Sequence, residues 1–272
     1  MRFRFALIAV AALSAMVATG LVGAAAVASA TSFRGSYTCR GGDLASGDFT
    51  SIPSGTYVTI TVAGVCNVQA NAVIRVIGNL TVMPGAVFDA QSAPSTIIVG
   101  RNISAGPGSL LGLGCQPPNT IGMFAGVPCA DPYAAGHTTI TVNGNISAGD
   151  ADTVLIRHVT VGGYVSLDGG GGEIPWSIKG NSIGRNLWVN NVAADWVGVQ
   201  FNHVGGNALL TRITSLDPGD PGRTVAVVEN TVAGNLVCEG LVPGVSGGFI
   251  PGEVNHVGGD AVGQCAAISE KL

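Results

Sequence analysis

Histidine is the side chain in this sequence best suited to metal binding or proton transfer near neutral pH. Two of its four copies lie in one repeated phrase, which reads "NHVGGN" from Asn202 and "NHVGGD" from Asn255. A third copy, His158 in "RHVTV", is predicted to occupy the same slot as His203 and His256. The repetition raises the question of whether these histidines form a site or only recur with a structural repeat.

The spacing of the histidines argues against a shared metal ion. Ser182 and Thr231 fill the same slot in the intervening repeats, so successive histidines stand two repeats apart. If each repeat is one turn of a β-coil, that separation is roughly 9 to 10 Å. Metal–nitrogen bonds are about 2.0 to 2.1 Å long, so two such histidines cannot bind one metal directly. We therefore predict solvent-facing spacer histidines, with no metal or other cofactor.

Carboxylates are the next candidates, because glycoside hydrolases use two of them and polysaccharide lyases combine clustered aspartates with a basic residue. Three pairs occur, at Asp150 and Asp152, Asp168 and Glu173, and Asp217 and Asp220. The first and third pairs lie in turn-like sequences, where aspartate is common because it caps the local backbone. "DPGDPG" could also hold a weak calcium ion. We predict no catalytic residue here, and a lyase or hydrolase whose groups converge only after folding is the open alternative.

Tryptophans offer a binding function instead. Trp188 should point outward if its neighbours Leu187 and Val189 point inward, and Trp196 follows in the same repeat. Exposed aromatic rings can stack on sugar rings. Trp188 and Trp196 are therefore the predicted glycan contacts, although a loop packing over Trp188 would explain the same residues.

The elements that must position these residues are short repeats. The loosened phrase begins at Asn181, Asn202, Asn230 and Asn255, in steps of 21, 28 and 25 residues. A weaker version extends the series, with spacings of 23, 43, 19, 22, 21, 28 and 25, through Asn79, Asn102, Asn145, Tyr164, Asn186, Asn207, Asn235 and Asp260. The step of 43 is interpreted as about two repeats with an insertion.

A period in the low twenties is typical of leucine-rich repeats and of parallel β-helices. The Leu-x-x-Leu-x-Leu frame of the former is absent, whereas apolar residues alternate as in short strands with one buried face. The sequence thus predicts an all-β fold, a single-stranded right-handed parallel β-helix of about ten rungs with 19 to 28 residues each. Its glycines suit tight corners. The corner asparagines, expected to bond to their neighbours above and below, are Asn181, Asn202, Asn230 and Asn255.

The first thirty residues predict export. Arg2 and Arg4 precede a long apolar stretch that ends in Ala28-Ser29-Ala30, the pattern of a signal peptide cleaved after Ala30. An uncleaved anchor is the alternative, because the apolar part is long enough. Residues 31–272 are then one β-helix domain with 10 basic and 16 acidic side chains, a net charge of −6. This charge argues against nucleic acid or anionic lipid as a partner, and no membrane association is expected after cleavage.

All six cysteines lie after the signal, and an even number in an exported chain favours disulfides. Fifteen connectivities are formally possible, and the layout favours local pairs. One of these pairs would clip an insertion near residues 105–137 into a closed loop. The predicted pairs are Cys39 with Cys66, Cys115 with Cys129, and Cys238 with Cys265.

The repeated "NxVGGN", the late "GNLVCEG" and the terminal "NHVGGDAVGQCAAI", following a long signal peptide, resemble a group of exported actinobacterial proteins with a right-handed parallel β-helix. The resemblance also implies the pairing of Cys265 with Cys238, and it supplies no catalytic residues. We therefore predict a secreted, non-enzymatic β-helix with a structural, surface or matrix role. Its expected partner is a polysaccharide of the cell envelope or of the environment.

Overall fold

The computed structural model of the protein describes residues 32–115, 138–216, 225–247 and 254–272. These residues form a parallel β-helix, which confirms the predicted fold class. Each turn of the chain, called a rung below, adds one strand to each of three parallel sheets, and the sheets contain ten, nine and ten strands. In the tenth rung a short 3₁₀ helix, Ala266–Ile268, stands where the second sheet would receive its strand.

The strands follow one another around the three sheets in strict rotation. The first sheet contains β1 (Tyr37–Cys39), β4 (Ile60–Val62), β7 (Leu80–Val82), β10 (Ile103–Ala105), β13 (Ile146–Ala151), β16 (Val165–Gly170), β19 (Leu187–Ala194), β22 (Ala208–Ser215), β25 (Leu236–Glu239) and β28 (Ala261–Gly263). The second sheet contains β2 (Thr50–Ile52), β5 (Val65–Val68), β8 (Val87–Ala90), β11 (Leu110–Gly114), β14 (Thr153–Arg157), β17 (Trp176–Lys179), β20 (Val197–Gln200), β23 (Val225–Val228) and β26 (Val245–Ser246). The third sheet contains β3 (Gly55–Tyr57), β6 (Ala72–Val76), β9 (Ser95–Val99), β12 (Thr139–Val142), β15 (Val159–Val161), β18 (Ser182–Ile183), β21 (His203–Val204), β24 (Thr231–Val232), β27 (Asn255–Val257) and β29 (Ser269–Lys271).

Alternation along each strand builds the core. In β19, Leu187 and Val189 are fully buried, whereas Trp188 between them is only half-buried. Each aliphatic side chain that leaves water in this way contributes about 1.5 to 3 kcal/mol before the cost of ordering the chain. Trp176 is the largest fully buried side chain, and its indole nitrogen donates to the Asp152 carbonyl at 3.0 Å.

The step of 43 residues is a single rung, so its interpretation as two repeats was wrong. Ile103 pairs directly with Ile146, and β9 pairs directly with β12. The extra residues therefore belong to the connection between β11 and β12, and the rungs on either side of it remain paired. Most of this connection, residues 116–137, lies outside the described residues.

The first asparagine of the phrase forms a buried ladder along the coil. The Asn202 side-chain amide donates to Asn230 Oδ1 at 2.9 Å and to the Ile178 carbonyl at 2.9 Å. Its own Oδ1 accepts from the side-chain amide and the backbone N–H of Asn181. Asn230 and Asn255 continue the same pattern. All four asparagines are almost completely buried, so every polar atom of the ladder depends on its neighbours.

The last asparagine of the phrase forms a second, more exposed ladder. Asn186 Oδ1 accepts from the backbone N–H of Asn207 at 2.9 Å, and Asn207 Oδ1 accepts from that of Asn235 at 2.8 Å. A Cβ atom on Gly206 would overlap Asn186 Oδ1, and one on Gly234 would overlap Asn207 Oδ1. The second glycine of the phrase is thus required for close approach of this asparagine.

The three corners between the sheets differ in how much their length varies from rung to rung. In eight of the nine connections from the third sheet to the first, three residues separate the strands. The second-to-third corner varies in length from one residue, His158, to the long connection between Gly114 and Thr139. Its bends use positive φ, at His158, Gly180, Phe201 and Glu229.

Two disulfides lie at the ends of the coil. Cys39 in β1 is bonded to Cys66 in β5, and Cys238 in β25 is bonded to Cys265 beside the 3₁₀ helix. All four cysteines are fully buried, and each bond joins one rung to the next across 27 residues. The third predicted pair, Cys115 with Cys129, cannot be placed because Cys129 lies outside the described residues.

Candidate functional site

The three histidines in the described ranges do not converge. His203 pairs in register with Ser182 on one side and Thr231 on the other, and Thr231 pairs with His256, so these two histidines stand two rungs apart. The prediction that His158 shares their slot was wrong, because Thr160 pairs with Ser182. His158 is instead the single bend residue between β14 and β15, with φ at 53°.

Both slot histidines face outward. His203 is exposed, and His256 Nδ1 lies 3.0 Å from Glu270 Oε1 in a half-exposed ion pair. Exposed pairs of this kind contribute about 0 to 1 kcal/mol. We expect His203→Ala to change the free energy of unfolding by less than about 0.5 kcal/mol, because it removes no buried contact. Urea denaturation of the two proteins checks this, and a loss above about 2 kcal/mol would contradict the spacer role.

The carboxylate pairs are only partly brought together. Asp150 occupies a bend with φ at 49° in β13, and its side chain leans toward Gly169, which follows Asp168 on the next rung. Asp217 and Asp220 lie outside the described residues, so the suggested calcium site there is not placed. Within the described ranges, no group of three or more His, Cys, Asp or Glu side chains is arranged to hold a metal ion.

The two candidate tryptophans lie on different sheets. Trp188 projects from β19 in the first sheet, and its ring centroid lies 5.3 Å from that of Tyr164. Trp196 precedes β20 in the second sheet, where its ring covers Gly198 so closely that a Cβ atom there would overlap it. The predicted pair therefore does not form one surface. Trp188 has Tyr164 as its aromatic neighbour instead, and we call these two rings the aromatic platform.

Trp188 of the aromatic platform also belongs to a longer apolar strip. The outward residues in register on the last four rungs of the first sheet are Trp188, Leu209, Val237 and Val262. Trp188, Leu209 and Val237 are half-buried, and Val262 is exposed. Apolar side chains that line up on an exposed sheet face are a common sign of a binding surface.

A polar strip runs beside the apolar strip, two residues further along each strand and on the same face. It consists of Asp168, Asn190, Thr211 and Glu239. The Asn190 amide donates to Asp168 Oδ1, and the Thr211 hydroxyl donates to Asn190 Oδ1 at 2.7 Å. Asp168 and Glu239 stand at the two ends of the strip and are exposed, so their carboxylate oxygens are accessible.

On the earlier rungs the same outward column carries hydroxyl groups. The hydroxyl strip consists of Thr38, Thr61, Thr81, Ser104, Ser147 and Ser166. It meets the apolar strip where Ser166 pairs with Trp188. The outer face of the first sheet thus changes along the coil from hydrogen-bonding groups to stacking groups.

The sequence pattern identified Tyr164 only as a repeat position and did not identify the polar strip. The polar strip follows from aligning the repeats on Leu187, because each of its residues lies three positions after the residue equivalent to Leu187. The chain matches no family model, no curated protein and no solved structure. No helix in the described part of the chain is long and apolar enough to cross a membrane.

Proposed function

We propose that the protein is an exported, non-enzymatic β-helix that binds a polysaccharide chain along the outer face of the first sheet. The observation that carries the proposal is the aromatic platform flanked by the polar strip. Sugar binding uses this combination, in which an aromatic ring stacks on the apolar face of a pyranose and carboxylate or amide groups bond to its hydroxyls.

The repeat of the coil supports a polymeric ligand. Rungs follow one another at about 4.8 Å, which is comparable to the length of one pyranose unit in an extended glycan. Side chains of the same type recur at that interval on this face, in the hydroxyl strip and in the apolar strip. A glycan aligned with the coil axis would therefore meet equivalent groups on successive sugars.

The disulfides support the proposal that the protein is exported. Two bonds are buried inside the coil at its ends, and such bonds persist in oxidising compartments. The signal-like residues 1–30 support the same conclusion from the sequence. A rigid coil closed by disulfides suits a protein that works outside the cell as part of a surface or matrix.

The first test is Trp188→Ala. We expect binding to a responsive polysaccharide to weaken at least about tenfold, because the central stacking ring is lost. Affinity electrophoresis against a panel of plant, fungal and bacterial polysaccharides identifies the ligand, and calorimetry on the best one measures the change. Circular dichroism should be unchanged, because Trp188 is not part of the core.

Trp196→Ala is the matched control, since it removes the same side chain from another sheet. Its affinity should equal that of the unmodified protein. Equal loss in both variants, or loss in neither, would contradict a binding face on the first sheet. The panel should also be analysed for new reducing or unsaturated ends, because Asp150 and Asp168 lie on neighbouring rungs of this face. Turnover would replace the binding function with a lyase or hydrolase.

A further inference from the structure

Three basic side chains meet at the corner between the second and third sheets. Arg157 ends β14 and Lys179 ends β17, and the two are register partners. Adjacent strands are about 4.8 Å apart, so the two cationic side chains begin from neighbouring backbone positions on the same face. His158 follows Arg157 at the bend, and its ring lies under Gly180, the residue after Lys179. We call Arg157, His158 and Lys179 the basic corner.

The basic corner lacks a counter-charge in the described part of the chain. Arg157 Nη1 is buried without a hydrogen-bond partner. Lys179 Nζ lies over the ring of Phe201, 5.2 Å from its centroid. The ion pairs that the described residues form are at the C-terminal end of the coil, where His256 meets Glu270 and Lys271 meets Asp260. Glu229 occupies the equivalent bend one rung after Phe201, and it makes no ion pair with Lys179.

Electrostatics agree with the geometry. Burial lowers the pKa of Lys179, and the neighbouring charge of Arg157 lowers it further. The pKa of His158 is also lowered, first by burial and then by the charge of Lys179. Like charges held this close in a partly desolvated corner disfavour the protonated forms, and an anion placed between them would reverse that effect.

We propose that the basic corner is a binding site for an oxyanion, a carboxylate or sulfate group, held by Arg157 and Lys179 with His158 at its edge. A guanidinium offers parallel N–H donors that match two oxygens of such a group, and the ammonium adds a third charge-assisted bond. The site lies on a different corner from the aromatic platform and does not rest on the glycan proposal. The oxyanion can be a free ion or a substituent of an acidic polysaccharide.

The test follows the titration of His158 by NMR on the full folded chain, in sodium chloride and in sodium sulfate at equal ionic strength. A bound anion favours the protonated imidazole, so sulfate should raise the pKa of His158 and shift its ring signals saturably. Since protonation of His158 adds positive charge, sulfate affinity should rise as the pH falls through that pKa. His203, exposed on another face, is the internal reference and should not respond.

Lys179→Met removes one cation of the site and should weaken sulfate binding at least about tenfold. Arg185→Met removes an exposed charge elsewhere and is the matched control, with unchanged binding expected. Lys179→Gln serves the same purpose if the methionine variant does not fold. A His158 response that is absent, or that survives unchanged in the Lys179 variant, overturns the proposal.

The source of the oxyanion is resolved with three probes, which are inorganic sulfate, acetate and an oligogalacturonate. Saturable response to sulfate or acetate indicates a site for free ions. A response to the oligogalacturonate at much lower concentration of carboxylate indicates an acidic glycan, and Trp188→Ala then shows whether the same chain reaches the aromatic platform. Failure of all three probes would leave the glycan proposal intact and eliminate the oxyanion site.

Discussion

Replacing Asn202 with alanine is expected to lower the free energy of unfolding by about 3 to 5 kcal/mol. The substitution removes the side chain that bonds to four buried groups, namely the backbone N–H and side-chain amide of Asn181, the Ile178 carbonyl and Asn230 Oδ1. Asn230 Oδ1 keeps a second donor, the backbone N–H at position 202, so the loss falls on the other three. Each buried polar group left without a partner costs about 1 to 3 kcal/mol, and partial relaxation or a buried water recovers some of that. Equilibrium denaturation in guanidinium chloride measures the change.

Asn207→Ala is the matched control within the same phrase. Asn207 belongs to the exposed ladder, where water can replace its bond to the backbone N–H of Asn235. The expected loss is therefore only about 1 kcal/mol. If both alanine variants lose the same stability, burial does not distinguish the two ladders, and the structural role given to the first asparagine is wrong.

Removing the disulfide at the C-terminal end has the second large effect. The double variant Cys238→Ser, Cys265→Ser should lose about 3 to 4 kcal/mol, because the bond closes a loop across 27 residues. The last rung also depends on it, since the 3₁₀ helix and β29 follow Cys265 directly. Hydrogen exchange should increase first in β27 and β29, where the terminal strand is paired.

The N-terminal pair provides the comparison. Cys39 and Cys66 have the same separation, so their double serine variant should lose a similar amount of stability. Its increase in hydrogen exchange should appear in β1 and β5 rather than at the opposite end. Stability that does not change when both bonds are reduced would contradict the assignment of a clamping role to these cysteines.

Much of the fold follows from the spacing of the phrase. Asn186, Asn207 and Asn235 each stand one residue before a register partner in the first sheet, because the third-to-first corner has three residues in each of these rungs. Sequence spacing is a reliable guide to register at such a corner. At the other two corners the length varies, and there spacing misled the interpretation of the step of 43 residues.

The errors at His158 and Trp196 have the same physical origin. A bend with positive φ accepts His158, Phe201 and Glu229 as well as Gly180, so its position has no residue signature in this sequence. If the positions of the bends are unknown, the strands cannot be assigned to sheets. The sequence then cannot show whether Trp196, eight residues after Trp188, lies on the same face or on a different one. The basic corner was unpredictable for the same reason, since Arg157 and Lys179 are 22 residues apart and become neighbours only once both bends are known.

The third-to-first corner, whose length hardly varies, also determines where this molecule can change over evolutionary time. Residues such as Gly205 and Gly206 leave no room for a side chain, and an added residue would move every later side chain of the rung to the opposite face. The long connection between Gly114 and Thr139 shows that the second-to-third corner tolerates added residues, because the rungs on either side remain paired. New surfaces can therefore be acquired by lengthening loops at the variable corners, while the phrase "NHVGGN" maintains the register of the rungs.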